Sequence, residues 1–139
     1  MYLEAGMLVN ASLLGVMTSF LVVTSPTVFK TLDAEHSNKF LRFIFPLLFN
    51  FCFLISTLMF LIFALAGFFF GMVVGIGIAI SFLINTYFLT PRINKMRDLT
   101  LTGHAESEKH FKKLHFASVL LYVLSMVFIV SIFIVYYSR

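Results

Sequence analysis

Charged residues are scarce in this chain, and tryptophan is absent. Only 12% of its 139 residues are Asp, Glu, Lys or Arg, whereas a soluble domain of this size carries about a quarter. So few charges leave too little polar surface to cover a water-soluble fold. The single cysteine, Cys52, excludes an intrachain disulfide. Because it lies in an apolar run, we expect it to serve as a small packing residue.

Motifs for familiar chemistry are also missing from the sequence. There is no Gly-rich phosphate loop, no nucleophile elbow and no acid–base pair on a shared predicted helix face. His110 and His115 are five positions apart, which places them on different faces of a helix rather than side by side as metal ligands. These absences favour a protein that is not an enzyme. His115 is the only metal-ligand candidate we retain.

What the chain does contain is long uncharged sequence. Residues 5–29, 43–91 and 114–138 hold no Asp, Glu, Lys or Arg. A helix needs roughly 20 apolar residues to cross the ~30 Å hydrocarbon core, so the outer stretches hold one span each and the middle stretch holds two. Gly67 is the natural turn between those two. We predict an all-α, integral membrane four-helix bundle, a single domain over 1–139 with spans near 6–29, 45–66, 69–90 and 114–137.

The basic residues indicate an orientation. Nine of the ten Lys and Arg residues lie in the two connections at 30–44 and 91–113. The positive-inside rule places both connections in the cytoplasm and both termini outside. We expect a multi-pass protein of a bacterial inner membrane. Because the basic residues flank apolar runs, they favour anionic lipid headgroups as partners and argue against nucleic acid.

Uncharged polar and small residues mark the predicted spans. Each buried amide must find a hydrogen bond in lipid, so the asparagines are expected to join helices or to contact a ligand in a cavity; they are Asn10, Asn50 and Asn85. A stripe of small residues at steps of four in the third span predicts a close approach, either by a neighbouring span or by a second copy of the chain; it comprises Gly67, Gly71, Gly75 and Ala79.

The connections carry local helix signals. Asp33 is a predicted N-cap of a short interfacial helix that leads towards the second span. Thr90-Pro91 predicts the start of another short helix, with the threonine as its cap and the proline in its first turn. Glu108 and Lys112 are spaced to pair on the helix that enters the fourth span.

Several short motifs, in order, resemble a known family. They lie at the ends of the predicted spans: Ser25-Pro26-x-x-Phe29, Phe45-Pro46, Asn85, Pro91-Arg92-x-Asn94 and Phe111-x-x-Leu114-His115-x-x-Ser118. This pattern resembles the four-span family that includes transmembrane protein 205 and bacterial proteins grouped as domain of unknown function 4149. One position departs from the family, which often has asparagine where this chain has Tyr122.

The resemblance implies a fold and a membership but little biochemistry. We expect any shared site at the cytoplasmic mouth of the bundle, built by Pro26, Pro46, Asn85, Arg92 and His115. There Arg92 would hold an anionic headgroup or substrate, and His115 would titrate near neutral pH or coordinate a metal. The family-motif positions are Pro26, Phe29, Pro46, Asn85, Pro91, Arg92, Asn94, His115 and Ser118.

Three function classes remain open from the sequence. The first is a non-enzymatic membrane component that acts through lipid or protein contacts. The second is a small transporter that works as a homo-oligomer. The third is a membrane oxidoreductase of haem or porphyrin, because another bacterial four-span family of this size oxidises protoporphyrinogen. Haem is therefore the one cofactor considered, and it would need a coordinating histidine.

Overall fold

The computed structural model describes residues 1–138, with every side chain except that of Ala105. The described chain is folded into four long helices: α1 (Tyr2–Thr31), α2 (Ala34–Leu65), α3 (Phe69–Leu101) and α4 (Ala105–Tyr137). Each is long and apolar enough to cross a membrane. Four such helices indicate a multi-pass membrane protein.

The helices pack in chain order around an up-and-down bundle. α1 packs on α2, α2 on α3 and α3 on α4, and α4 returns to α1. Across residues 1–138, diagonally opposite helices bring no Cα atoms within 8 Å of each other. The two segments 30–44 and 91–113 therefore lie at one end of the bundle, which we call the basic end. The N-terminus and the turn between α2 and α3 lie at the opposite end.

A glycine in left-handed geometry makes the turn between α2 and α3, where the sequence predicted it. Gly67 has a φ of +66°, and its N–H donates to the Ala64 carbonyl while the Phe68 N–H donates to the Phe63 carbonyl. This pair of hydrogen bonds is a Schellman motif. The Phe63 and Phe68 rings then meet edge to face with centroids 5.2 Å apart. Gly103, with a φ of +93°, ends α3 in the same way.

The N-terminus of α2 is capped as predicted. The Asp33 carboxylate accepts a hydrogen bond of 2.9 Å from the His36 backbone N–H, and the His36 ring nitrogen lies 2.8 Å from its second oxygen. These donors lower the pKa of Asp33 below its usual value. The interfacial helix that Asp33 caps continues without a break into the membrane-crossing part of α2, and Pro46 lies inside that helix.

Two wide turns interrupt α1 and α3 at matching places. Phe20–Thr24 and Asn85–Leu89 are π-helical, and a hydroxyl residue and a proline follow each of them. Pro26 and Pro91 have no N–H, and each proline ring would press on the carbonyl four residues earlier in a regular helix. A π turn, with bonds five residues apart, takes up this mismatch, and such turns occur often at functional sites.

The prediction that Thr90 caps a new helix is wrong. Thr90 has helical φ and ψ angles, and α3 runs through it without a break from the π turn. Its hydroxyl does not cap the helix but donates to the Asn85 carbonyl at 2.8 Å. Pro91 has no N–H to donate to a carbonyl of the preceding turn. Because the wider π turn accommodates this missing hydrogen bond, α3 does not have to end before Pro91.

The small-residue stripe brings α3 against α2 of the same chain. A Cβ added at Gly75 would lie 3.1 Å from the Cα of Phe60, so the two backbones are in near contact there. A Cβ added at Gly71 would overlap the Phe63 ring. Gly67 belongs to the turn and has no such neighbour within 4 Å. Of the two predicted roles of the stripe, the fold shows the first: Gly71 and Gly75 allow a neighbouring span of the same chain to approach closely.

Candidate functional site

A cavity of about 380 Å³ lies among all four helices in the half of the bundle near the basic end. Its volume falls in the range of ~300–1,000 Å³ that is usual for small-molecule pockets. Phe, Leu, Ile and Val side chains make most of its wall, and a few polar groups interrupt them. An apolar pocket with a few converging polar groups is the arrangement expected of a ligand site.

Each helix supplies one face to this cavity. The lining positions recur at steps of three and four, which is the spacing of one helix face. They include Leu21, Ser25 and Phe29 on α1, Leu41, Phe45 and Phe49 on α2, Thr90, Ile93 and Arg97 on α3, and Phe111, His115, Ser118 and Tyr122 on α4. From Phe111 to Tyr122 the cavity extends about 16 Å along α4 at 1.5 Å per residue. That length is about half of the ~30 Å hydrocarbon core.

A chain of aromatic rings from all four helices closes the inner end of the cavity. Phe20 meets Phe45 at 5.5 Å between centroids, and Phe45 stacks on Phe49 at 5.6 Å. Phe49 continues to Phe82 at 6.1 Å and to Tyr122 at 6.2 Å. Phe49, Phe82 and Tyr122 are buried, so this layer separates the cavity from the opposite half of the bundle.

Tyr122 also ties α4 to α1. Its hydroxyl donates a 2.9 Å hydrogen bond to the Met17 carbonyl, one turn before the π-helical segment. Tyr122 stands where the resemblance leads us to expect asparagine. A tyrosine reaches across the helix pair there, so the departure leaves an interhelical polar contact in place.

The cavity opens sideways between α1 and α4. Residues 20–31 bring no Cα within 8 Å of α4 anywhere in the described chain, although the earlier part of α1 packs on it. Leu21 and Phe29 on α1, with Val119 and Val123 on α4, line the cavity and are also exposed on the outer surface. An apolar rim of this kind faces lipid when the bundle lies in a membrane, so the opening is accessible from the bilayer.

Several polar groups in the cavity have no partner of their own. In the described part of the chain, the hydroxyls of Ser25 and Ser118 make no side-chain hydrogen bond, and neither does the His115 ring. His115 instead stacks on Phe111, with centroids 5.8 Å apart and planes at 6°. The cavity thus offers hydroxyl and imidazole groups that a ligand can bind.

Arg97 stands at the basic end of the cavity. Its guanidinium carbon lies 5.1 Å from the centroid of the Phe111 ring, in cation–π geometry. The carboxylate of Asp98, the next residue, accepts hydrogen bonds from Nη1 and Nη2 of Arg42 on α2. A guanidinium remains charged at any physiological pH, so Arg97 is a cation in the cavity wall.

The structure brings some of the predicted site residues to this cavity. Phe29, His115 and Ser118 line it. Pro26 and Pro46 do not, but each directly follows a lining residue, Ser25 or Phe45. The two prolines therefore lie beside the site without forming its wall.

Other predicted site residues lie away from the cavity. Pro91, Arg92 and Asn94 are not among its lining residues. Arg92 is exposed, and its guanidinium donates to the Phe88 carbonyl at 3.2 Å on the outer surface of α3. Asn85 is fully buried beyond Thr90, one turn deeper in α3.

Sequence reasoning passed over Arg97, the cation that does line the cavity. Its sequence spacing from the other α3 residues that line the cavity identifies it. Arg97 lies seven residues after Thr90 and four after Ile93, on the same helix face, whereas Arg92 lies on another face. The π turn also rotates the later part of α3 relative to a regular α-helix. The residues that face the cavity can therefore be assigned only by counting from the end of that turn.

Two of the buried asparagines differ in their contacts. The Asn10 side chain donates to the Ile129 carbonyl at 3.1 Å and so joins α1 to α4, which is the first of the two predicted roles. Both polar atoms of the Asn85 amide are buried without a hydrogen-bond partner in the described chain. Burying an unpaired amide destabilises the fold by roughly 1–3 kcal/mol. Asn85 therefore does not join two helices of the chain by a hydrogen bond.

The histidines outside the cavity are exposed and scattered. His36 pairs with Asp33, His104 lies 3.2 Å from the Thr102 hydroxyl, and His110 lies 3.1 Å from a backbone carbonyl. Residues 1–138 contain no group of three or more His, Cys, Asp or Glu side chains that could hold a metal ion.

Comparison with known proteins adds one finding. Residues 8–101, about two thirds of the chain, match the family model described as a domain of unknown function (DUF4149). The chain belongs to this family. The DUF4149 match covers nearly all of α1 and the whole of α2 and α3, which supply three of the four cavity faces. No curated protein and no solved structure gives a significant match.

Proposed function

We propose that this protein is a non-enzymatic membrane component that binds an apolar or amphipathic molecule drawn from the bilayer. One observation supports the proposal: an apolar cavity of about 380 Å³ with an exposed apolar rim between α1 and α4. A molecule dissolved in the membrane could enter there without crossing water. The expected ligand is then a lipid or a lipid-like molecule, and we expect no binding of nucleic acid.

We further propose a bacterial inner-membrane location with the basic end in the cytoplasm and both termini outside. The support is the distribution of charge, with nine of the ten Lys and Arg residues in 30–44 and 91–113. In this orientation the cavity lies in the cytoplasmic leaflet and the turn at Gly67 lies outside.

Cysteine labelling tests this orientation with little background, because the native Cys52 is fully buried. We expect a membrane-impermeant maleimide to label Glu4→Cys on intact cells, because residue 4 is exposed at the end opposite the basic one. Lys109→Cys should react only after the membrane is permeabilised. The unmodified chain is the control. Labelling of Lys109→Cys alone on intact cells would reverse the proposed topology.

Photolabelling tests the cavity itself. The protein in lipid nanodiscs is exposed to a hydrocarbon carrying a diazirine, and the labelled residues are identified by mass spectrometry. We expect labels on cavity-lining residues such as Phe45 and Ile93, which are partly or fully hidden from the outer lipid surface.

A matched pair of variants on α4 makes the photolabelling decisive. Ser118→Phe adds a ring inside the cavity, whereas Leu120→Phe adds one to the outward face two residues away. We expect at least a tenfold loss of cavity labelling in Ser118→Phe and no loss in Leu120→Phe. Labels that stay on outward faces, with equal intensity in both variants, would refute the binding function.

Two further measurements test the other two function classes. A Soret band in the purified protein, or after haem addition, would favour the porphyrin oxidoreductase. Crosslinking in native membranes that traps a homo-oligomer would favour the transporter. Gly71 and Gly75 are already covered by α2 of the same chain, so they give the oligomer no support.

A further inference from the structure

A cation that shares its counter-ion stands at the basic end of the cavity. No hydrogen bond or ion pair reaches the half-buried Arg97 guanidinium within residues 1–138. The carboxylate that attracts it, Asp98, is hydrogen-bonded by Arg42 instead. Arg42, Arg97 and Asp98 together carry one excess positive charge, and that excess lies on the side chain that lines the cavity.

Arg97 packs against an aromatic ring instead of pairing with a carboxylate. The Phe111 ring lies 5.1 Å from its guanidinium carbon, and His115 stacks on Phe111. A guanidinium held over a ring keeps its N–H edge free to donate. That edge fits carboxylate and phosphate oxygens with two parallel hydrogen bonds.

We propose that the cavity binds a long-chain amphiphile with an anionic head, and that Arg97 holds the head. This inference rests on the proposed function and specifies its ligand. The hydrocarbon chain would lie along the apolar wall that ends at Phe49 and Tyr122. The anionic head would lie at the basic end, where the polar headgroups of the same leaflet are found.

The arrangement of the wall supports this head-to-tail fit. At the inner end, the polar groups of Thr90 and Tyr122 are already engaged by backbone carbonyls. Towards the basic end, His115 and Arg97 have no hydrogen-bond partners within residues 1–138. A ligand with one apolar end and one anionic end matches this gradient, whereas an uncharged chain leaves the Arg97 cation unpaired.

Competition against the diazirine hydrocarbon tests the assignment in nanodiscs of uncharged phosphatidylcholine. The competitors share one chain length and differ in the head: hexadecanoic acid, hexadecyl phosphate and hexadecanol. We expect the anionic compounds to compete about tenfold better than the alcohol, as a charge-assisted hydrogen bond implies. If the acid and the phosphate differ, the better competitor distinguishes a free fatty acid from a phospholipid headgroup.

Two arginines of α3 provide the matched variants. Arg97→Gln should reduce the preference for an anionic head to near unity, while Arg92→Gln, on the outer surface, should leave it unchanged. Arg97→Lys keeps the charge without the planar fork and should retain part of the preference. Should Arg97→Gln also lose hydrocarbon labelling, the Arg97→Lys variant decides the test.

The outcomes separate this inference from the proposed function. Equal competition by acid and alcohol in the unmodified chain, with labelling that still depends on Ser118→Phe, overturns the anionic ligand but leaves the cavity function standing. An equal loss of preference in Arg92→Gln and Arg97→Gln also overturns it, because surface charge alone would then explain the effect. Failure of the hydrocarbon to label the cavity at all removes both.

Discussion

Leucine at Gly75 is expected to prevent the close packing of α2 against α3. An added Cβ would lie 3.1 Å from the Phe60 Cα and 3.2 Å from its backbone nitrogen. A backbone cannot rotate away as a side chain can, so the two helices must separate. Overpacking of a close contact typically costs about 1–3 kcal/mol, and we expect a loss near the upper end, measured as a lower midpoint of thermal unfolding in mild detergent.

Gly77 supplies the matched control for this prediction. It lies two residues further along the same helix, and an added Cβ there would meet no atom within 4 Å. Gly77→Leu should therefore unfold close to the temperature of the unmodified chain. Equal destabilisation by both variants would mean that the approach of Phe60 does not explain the loss, because leucine has a higher helix propensity than glycine at either position.

Alanine at Phe63 should open a void where three helices meet. The Phe63 side chain is fully buried, and its ring covers Gly6 of α1 and Gly71 of α3. Phe→Ala costs about 3–5 kcal/mol in water-soluble cores. We expect about 3 kcal/mol here, because lipid is as apolar as the core and chiefly packing is lost. Phe51→Ala, on the exposed face of α2, should cost far less.

A double-mutant cycle tests whether Phe63 and Gly6 are packed as described. A Cβ at Gly6 would lie 2.6 Å from the Phe63 Cδ1, so Gly6→Ala alone should destabilise the bundle. In the Phe63→Ala background the same change meets no ring and should be neutral or stabilising. Contacting residues show coupling of about 0.5–3 kcal/mol. Simple additivity of the two changes would contradict the packing of α1 on α2.

The candidate site could be predicted from the sequence only in part. The motif positions His115 and Ser118 line the cavity, but the arginine chosen from the motif, Arg92, does not. Arg97 takes its place because a π turn before Pro91 changes which face of α3 looks inward. A helix can end before a proline or can continue through it by forming a π turn. The local sequence allows both, and the packing around the proline decides between them.

The sequence by itself determined the number of long helices and the end of the bundle at which the charges lie. Those features follow from chain-local physics, because uncharged runs of known length must satisfy their backbone hydrogen bonds as helices in lipid. Only the tertiary structure decided that Gly71 and Gly75 face α2, that Asn85 is unpaired, and that α1 diverges from α4 beyond Phe20. These features depend on how the surfaces of the four helices fit together. Because lipid is as apolar as the helix interfaces, the hydrophobicity of a single helix does not show which of its faces packs against another helix.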